Sequence, residues 1–323
     1  MSVTTTVQQP PLGIRLLHVV RKEPDYPALS IEELLAFRDA QNRKLASGLA
    51  RVITGFPDRG AKIGWQQVAL ADRELPVRVY RPSRQGALPL VVHVHGGGFM
   101  GTAVQSDWIN SHVAVQLPAV VVSVEHRLVD PKTPLSAAVD DGWDVLRHIL
   151  DQPAQWGIDP ARVAVFGESA GSMVAALSAI RARECGLPLR AQVLVNPCAD
   201  LTSTALDYPS MTTYADSPTL TRSRIKMFRE LAVPHSEDPR AVSPLYADDV
   251  SGLAPALVVI PVLDPVADHG RAYADRLREA GTPVQVSEHD RAGHAFLSMP
   301  NLVPQAKAAR ERITAFLRDH LAA

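Results

Sequence analysis

The stretch Arg162-Val-Ala-Val-Phe-Gly-Glu-Ser169-Ala-Gly-Ser-Met-Val-Ala-Ala-Leu177 decides how the rest of the chain is interpreted. A short apolar run ends at Gly167, and the residues from Ala170 onward have a helix-forming composition. Between them lies Ser169, in the pattern G-x-S-x-G, which is typical of a nucleophile elbow that turns sharply from strand to helix and exposes a serine hydroxyl. Glycines are required there because a Cβ would meet the neighbouring strand or helix. We therefore predict that Ser169 is a nucleophile.

The composition excludes several classes of protein. The 323 residues are 46% hydrophobic, as in a globular protein with an ample core. The formal net charge is −1, from 33 basic and 34 acidic residues, and no long run has a single sign. This balance argues against a nucleic-acid partner. The chain has no predicted secretory signal or spanning segment, so we expect a cytoplasmic location and no membrane insertion.

Two cysteines, Cys185 and Cys198, are too few for a disulfide framework and do not have the spacing of a metal site. The sequence leaves open whether they are bridged, and two free thiols are the expectation.

Apolar runs of strand length alternate with helical segments along most of the chain. The sequence predicts a hairpin at 65–70 and 77–80, followed by strands at 90–94, 119–124, 163–166, 191–195, 256–260 and 284–287. Because helices separate most of these strands, the prediction is an α/β fold with a mostly parallel sheet that is covered on both faces.

Two segments lie outside this alternation. Residues 1–58 are predicted to form an N-terminal helical cap or arm. Residues 200–240 are rich in serine, threonine and proline around one helix near 221–231, without a strand, and are predicted to be a cap insertion. The core is then divided into 59–199 and 241–323, and the two caps are expected to lie over the carboxyl ends of its strands.

A nucleophilic serine needs a base within hydrogen-bonding reach and an acid that orients this base. His294 lies in a glycine-preceded loop after the last predicted strand, and Asp264 directly follows the strand that ends near Val262. The order Ser169, Asp264, His294 is the one expected of an α/β-hydrolase.

An oxyanion hole is also required, and the stretch His95-Gly-Gly-Gly98 can supply it. Without a Cβ, these glycines let backbone N–H groups approach a tetrahedral oxyanion, where the N–H of Ala170 joins them.

The four motifs together resemble the hormone-sensitive-lipase-like (bacterial family IV) carboxylesterases of the α/β-hydrolase superfamily. They are His95-Gly-Gly-Gly98-Phe, Gly-Glu-Ser169-Ala-Gly, Asp264-Pro-Val-Ala-Asp268 and Gly-His294-Ala-Phe. The resemblance covers about residue 60 to the C-terminus. It departs from the family pattern at Glu168, at Ser172 and in the segment from His126 to Pro131.

This resemblance implies an α/β-hydrolase fold with a helical cap. It places the catalytic triad on Ser169, Asp264 and His294, and the oxyanion donors on Gly97, Gly98 and Ala170. No cofactor is implied, and a homodimer is compatible with it, although the sequence leaves the oligomeric state open.

For the polar residues near these motifs we expect structural roles and not catalytic ones. Glu168, His95 and Gly96 are expected to support the reacting groups. His93 and His95 are two apart on one strand, but no nearby acid or cysteine completes a metal site, so no metal is predicted. Surface or helix-start positions are expected for Asp140, Asp141, Asp268 and His289. Met227 and Phe228 are left open between an acyl pocket and the cap core.

The leading hypothesis is hydrolysis of small carboxylic esters of short to medium acyl chain, through an acyl-enzyme on Ser169. The alternatives are an amidase or formamidase, an acyltransferase on the same triad, and a non-catalytic receptor for small molecules. The natural ester and its acyl and alcohol preferences cannot be derived from the sequence.

Overall fold

An eight-stranded sheet forms the centre of the chain. The computed structural model describes residues 8–20, 24–234 and 236–322. The sheet has the order β1-β2-β4-β3-β5-β6-β9-β10, and β7 pairs with β8 apart from it. The strands are β1 (Ala61–Ala69), β2 (Glu74–Pro82), β3 (Leu88–Val94), β4 (Val120–Val124), β5 (Ile158–Glu168), β6 (Ala191–Val195), β7 (Asp216–Ser217), β8 (Leu220–Thr221), β9 (Ala256–Pro261) and β10 (Val284–His289).

Helices connect these strands and extend beyond them at both ends of the chain. They are α1 (Leu12–Val20), α2 (Ile31–Leu45), α3 (Arg51–Thr54), α4 (Asp107–Gln116), α5 (Leu135–Asp151), α6 (Pro153–Trp156), α7 (Ala170–Glu184), α8 (Pro209–Thr213), α9 (Arg222–Ala232), α10 (Ala267–Glu279) and α11 (Gln305–Leu321). Among the helices in the described ranges, none is long and apolar enough to cross a membrane.

Most neighbouring strands run parallel, as predicted. β2 is antiparallel to both β1 and β4, whereas all pairs from β4 through β3, β5, β6 and β9 to β10 are parallel. The carboxyl ends of the parallel strands therefore lie along one edge of the sheet. Side chains that follow β5, β9 and β10 meet at this edge.

Alternate residues of the central strands enter two apolar layers. Leu90, Val92 and Val94 of β3 join one layer with α5, α7 and α10. Val91 points to the other layer, which includes α4 and α11. Because both faces of the sheet are covered, the buried strands are apolar nearly throughout, which explains why the sequence revealed them as continuous runs.

Two sequence predictions require correction. β5 begins at Ile158, before the predicted start at residue 163, because Leu88 pairs with Ile158 ahead of a register shift. The expectation of no strand within 200–240 was wrong, since β7 and β8 form a short antiparallel pair there. The predicted helix near 221–231 is α9.

The crossing of α5 and α7 depends on Gly142. A Cβ on this residue would lie 2.3 Å from Cγ1 of Val174. We expect Gly142→Ala to lower the free energy of unfolding by about 1–3 kcal/mol, because the helices must separate to accommodate the methyl group. Urea denaturation measures this change.

Gly64→Ala is the matched control, because no atom lies within 4 Å of a Cβ built at Gly64. We expect its unfolding free energy to stay within about 0.5 kcal/mol of the parent value. Equal stability of Gly142→Ala and Gly64→Ala would contradict the tight helix crossing.

Candidate active site

The elbow at Ser169 is held by contacts that exclude side chains on both flanking glycines. Ser169 has φ 54° and ψ −120°, directly before α7. A Cβ on Gly167 would lie 2.1 Å from the carbonyl oxygen of Gly171, and a Cβ on Gly171 would lie 2.2 Å from that of Val94. A non-glycine residue at positive φ is strained, so the surrounding backbone must maintain this conformation.

A continuous chain of hydrogen bonds leads from Ser169 to a buried carboxylate. Ser169 Oγ lies 2.7 Å from Nε2 of His294, and His294 Nδ1 lies 2.8 Å from Oδ2 of Asp264. Asp264 is fully buried, and its other oxygen accepts a hydrogen bond from the N–H of Val266 at 3.0 Å. With Nδ1–H donating to Asp264, Nε2 is the acceptor that can take the serine proton.

The loops after β9 and β10 bring the acid and the base together. The N–H of Leu263 donates to the carbonyl oxygen of Ala292 at 2.8 Å, which ties the loop before Asp264 to the loop before His294. Both loops leave the same edge of the sheet as Ser169. The structure thus brings together three residues that are far apart in the sequence.

The glycine loop lies directly beside the elbow. Gly97 has φ +92°, and a Cβ there would lie 1.6 Å from the carbonyl oxygen of Met100. A Cβ on Gly98 would lie 3.1 Å from Cβ of Ala170. In the described part of the chain, no hydrogen bond involves the backbone N–H of Gly97, Gly98 or Ala170. Since such groups are normally paired inside proteins, these three are available to an acceptor atom of a ligand.

Glu168 ties the elbow to three other segments. Its buried carboxylate accepts hydrogen bonds from Oγ of Ser106 at 3.0 Å and Oγ of Ser298 at 3.1 Å, and Oε1 lies 3.3 Å from Nε2 of His93. Ser298 belongs to the segment that follows the loop of His294. Glu168 therefore connects the elbow to these segments through hydrogen bonds.

His95 contacts the glycine loop through its imidazole ring. Its Nδ1 lies 2.9 Å from the carbonyl oxygen of Gly96, and its ring stacks on that of His126 with centroids 4.2 Å apart. Burial, reinforced by the neighbouring His126, lowers the pKa of His95 well below its ordinary value. His95 is therefore neutral at neutral pH and donates its Nδ1–H to Gly96.

Comparison with known proteins identifies the family. A family model described as the α/β-hydrolase fold matches residues 91–298. Carboxylesterase NlhH of Mycobacterium tuberculosis is 38% identical over 257 residues, which cover 77% of this chain and 79% of that protein. The chain belongs to the α/β-hydrolase family. An arylesterase of Saccharolobus solfataricus is 33% identical to this α/β-hydrolase over 260 residues, covering 78% of this chain and 82% of that protein.

Solved structures agree with this assignment. An ester hydrolase from the metagenome of Lake Arreo, solved with a bipyridine phosphonate derivative, has a TM-score of 0.86 and 29% identity, over 98% of this α/β-hydrolase and 100% of that chain. A hyperthermophilic esterase of Pyrobaculum calidifontis has a TM-score of 0.83 and 28% identity, with the same coverage. The resemblance to carboxylesterases and the fold class inferred from the sequence are confirmed.

Two residues of this α/β-hydrolase that contact the candidate site were not predicted from the sequence. Asn196 follows β6, and its Nδ2 lies 3.5 Å from Nε2 of His294. Val129 donates its N–H to the carbonyl oxygen of Gly98 at 2.7 Å and so holds the glycine loop. The position of Asn196 at the carboxyl end of a predicted strand was a usable signal. Val129 contributes only its backbone, which no sequence pattern marks.

The predicted positions of the nearby acids are partly wrong. Asp140 is half-exposed and pairs with Arg181, as a surface residue does. Asp141, in contrast, is fully buried and accepts hydrogen bonds from Arg73 at 3.0 Å and from Arg127 at 2.8 Å. Two arginines from distant segments compensate its charge, and no local sequence pattern predicts that they meet there.

The structure separates the competing acid and base from the site. Asp268 lies in the first turn of α10, where burial is outweighed by hydrogen bonds from Arg271 and Ser210 that lower its pKa. His289 was expected at the surface, which was wrong: only 9% of it is exposed, and burial lowers its pKa. Its Nε2 lies 3.1 Å from Oγ of Ser287.

Both cysteines of the chain are free. Cys185 is exposed and Cys198 is buried. Within the described ranges, no three His, Cys, Asp or Glu side chains are arranged to hold a metal ion.

Substitutions in the hydrogen-bonded chain are expected to reduce activity in a defined order. His294→Ala removes the base and should lower kcat for a soluble ester about as much as loss of the serine, because the triad acts as a unit. Asp264→Asn leaves the imidazole in the wrong tautomer, and we expect a loss of roughly 10⁴-fold in kcat. Steady-state kinetics of the purified variants measure both effects.

The matched controls are Asp268→Asn and His289→Ala, which change the same residue types outside the hydrogen-bonded chain. Both should keep kcat within about tenfold of the parent, and Asp268→Asn should cost about 1 kcal/mol of stability at the start of α10. An inactive His289→Ala beside an active His294→Ala would contradict the assignment of the base.

Proposed function

We propose that this protein hydrolyses small carboxylic esters of short to medium acyl chain through an acyl-enzyme on Ser169. The observation that carries this proposal is the hydrogen-bonded chain from Asp264 through His294 to Ser169, which ends beside the unpaired N–H groups of Gly97, Gly98 and Ala170. The curated relatives are named as esterases, which supports an ester over other acyl compounds.

In the first half of the proposed reaction, Ser169 Oγ attacks the ester carbonyl carbon while His294 Nε2 takes the serine proton. The buried carboxylate of Asp264 stabilises the imidazolium that forms. The tetrahedral oxyanion accepts hydrogen bonds from the three backbone N–H groups, and loss of one such donor typically costs ~3 kcal/mol of transition-state stabilisation. His294 then gives its proton to the leaving alcohol, and the acyl group stays on Ser169.

In the second half, a water molecule takes the place of the alcohol. His294 removes a proton from this water as it attacks the acyl carbon, and the same N–H groups stabilise the second oxyanion. Collapse of this intermediate returns the proton to Ser169 Oγ and releases the carboxylic acid. Each step uses a group that this chain supplies, so the proposal includes no cofactor and no metal.

The cap provides a reason for the chain-length preference. A Cβ on Gly98 would lie 2.3 Å from Cε2 of Phe228, so the ring of this α9 residue lies against the glycine loop. Of the two residues left open by the sequence, Phe228 therefore borders the proposed oxyanion hole. A bulky ring at this point limits the space for an acyl chain.

Three further expectations remain proposals. They are the cytoplasmic location, the homodimer, and the division into residues 1–58, 59–199, 200–240 and 241–323. Analytical ultracentrifugation of the purified protein tests the homodimer, and fractionation of producing cells tests the location.

A panel of p-nitrophenyl esters of graded acyl length tests the proposed function. We expect the highest kcat/KM for short to medium chains, and slower hydrolysis of an emulsified long-chain triglyceride than of a soluble butyrate ester, because the caps leave little room for long chains. Matched anilides should react far more slowly than the esters. Faster turnover of the anilides would favour an amidase, and faster turnover of the emulsion would contradict the short pocket.

A further inference from the structure

One face of helix α2, in the N-terminal segment, contacts the glycine loop and the residues that follow it. Leu34, Arg38 and Asn42 recur four residues apart, so they lie along the same side of this helix. Leu34 is buried in the core, whereas Arg38 and Asn42 contact the residues directly after the three glycines. A helix that only covers the sheet needs apolar side chains on its inner side. The two polar residues therefore require a separate explanation.

Asn42 holds the backbone that closes the glycine loop. Its Oδ1 accepts a hydrogen bond from the N–H of Gly101 at 2.8 Å. Gly101 has φ +142°, and a Cβ there would lie 2.4 Å from the carbonyl oxygen of Gly96. The two ends of the loop therefore pack closely against each other, so a hydrogen bond that fixes Gly101 also restrains Gly96.

The same closure restrains Gly97, one of the proposed oxyanion donors. A Cβ on Gly97 would lie 1.6 Å from the carbonyl oxygen of Met100 and 3.4 Å from Cα of Gly101. The backbone before and after Phe99 is thus in close contact. Movement of Gly101 away from α2 would loosen the segment that carries the N–H groups of Gly97 and Gly98.

Arg38 contacts this region from the preceding turn of α2. Its Cζ lies 6.0 Å from the centroid of the Phe99 ring, and its Nη1 lies 3.8 Å from Oδ2 of Asp130. Asp130 directly follows Val129, whose N–H donates to the carbonyl oxygen of Gly98. One face of α2 therefore reaches both the segment that closes the glycine loop and the segment that binds it at Gly98.

We propose that Asn42 is a positioning residue for the oxyanion hole, so that α2 belongs to the catalytic apparatus as well as to the cap. Oxyanion donors stabilise a transition state when they are aligned before the charge develops. A displacement of about 1 Å can lower a rate about 10²-fold. Asn42 acts through Gly101 and the glycine loop and not by touching the reacting atoms. This inference rests on the proposed function, because it assigns a role in that reaction.

Steady-state kinetics of Asn42→Ala test this role in the full-length protein. Alanine has a higher helix propensity than asparagine, so α2 should stay folded while the N–H of Gly101 loses its acceptor. We expect kcat for a soluble ester to fall about tenfold and KM to stay within about twofold, because the aligned donors act in the transition state and not in substrate binding. Thermal unfolding verifies that the variant is folded.

Two further variants at the end of α2 serve as controls. Asn42→Asp keeps an oxygen that can accept the N–H of Gly101, and its kcat should stay within about threefold of the parent value. Arg43 is exposed and directly follows Asn42 in the same helix. Arg43→Ala should hydrolyse the ester as the parent does.

A trifluoromethyl ketone with the acyl chain of the ester separates positioning of the donors from a general effect on the pocket. Ser169 Oγ adds to its carbonyl carbon and passes its proton to His294 Nε2, which gives a hemiketal oxyanion for the same N–H groups. Its inhibition constant should rise in Asn42→Ala by the factor by which kcat/KM falls, because both depend on stabilisation of the oxyanion. The matched secondary alcohol forms no oxyanion and should bind the parent and the variant equally.

The outcomes distinguish this inference from the proposed function. An unchanged kcat in Asn42→Ala, beside a parent that hydrolyses the ester and is labelled at Ser169, would overturn the inference alone. Equal losses in Asn42→Ala and Asn42→Asp, or equal weakening of the ketone and the alcohol, would also overturn it, because residue 42 would then shape the pocket without positioning the donors. A parent without ester hydrolysis would overturn both.

Discussion

The close crossing of α7 over the ends of β3 and β5 is the constraint on which the site depends. Gly171 leaves no room for a side chain against the carbonyl oxygen of Val94, and Gly167 leaves none against Gly171. With the helix held this near, the backbone of Ser169 is forced to positive φ, at a cost of order 1–3 kcal/mol that the packed sheet compensates. The same crossing begins α7 at Ala170, directly after the serine.

The remaining parts of the site are attached to this crossing by polar contacts from distant segments. Glu168 binds the serines at 106 and 298 on either side of the elbow, so the loop of His294 and the segment before α4 share one anchor. The glycine loop is also held by the N–H of Val129, and Arg127, two residues earlier in the chain, pairs with the buried Asp141. Positioning of the candidate reacting groups therefore relies on fixed backbone and buried charge, which is the preorganisation that the proposed donors require.

The sequence predicted the sheet and the members of the candidate site because their signals are local. Continuous apolar runs mark strands that are buried on both faces, and Ser169 and Asp264 each follow such a run. His294 follows the partly exposed edge strand β10. What the sequence failed to predict depends on contacts between distant segments. Asp141 is buried because two arginines from other elements meet there, and His289 is covered by the ring of Phe296. The short pairing of β7 with β8 lies in a segment without apolar periodicity, so the sequence contains no pattern that predicts these two strands.

The central claim is that Ser169 is the residue that carries the acyl group, and covalent labelling tests it most directly. The protein is treated with an ester-mimicking phosphonate and digested, and the peptides are analysed by mass spectrometry. The account predicts one adduct on Ser169 with parallel loss of ester hydrolysis, and no adduct in Ser169→Ala, which should be folded and inactive. A label on another residue, or ester hydrolysis that persists in Ser169→Ala, would contradict it.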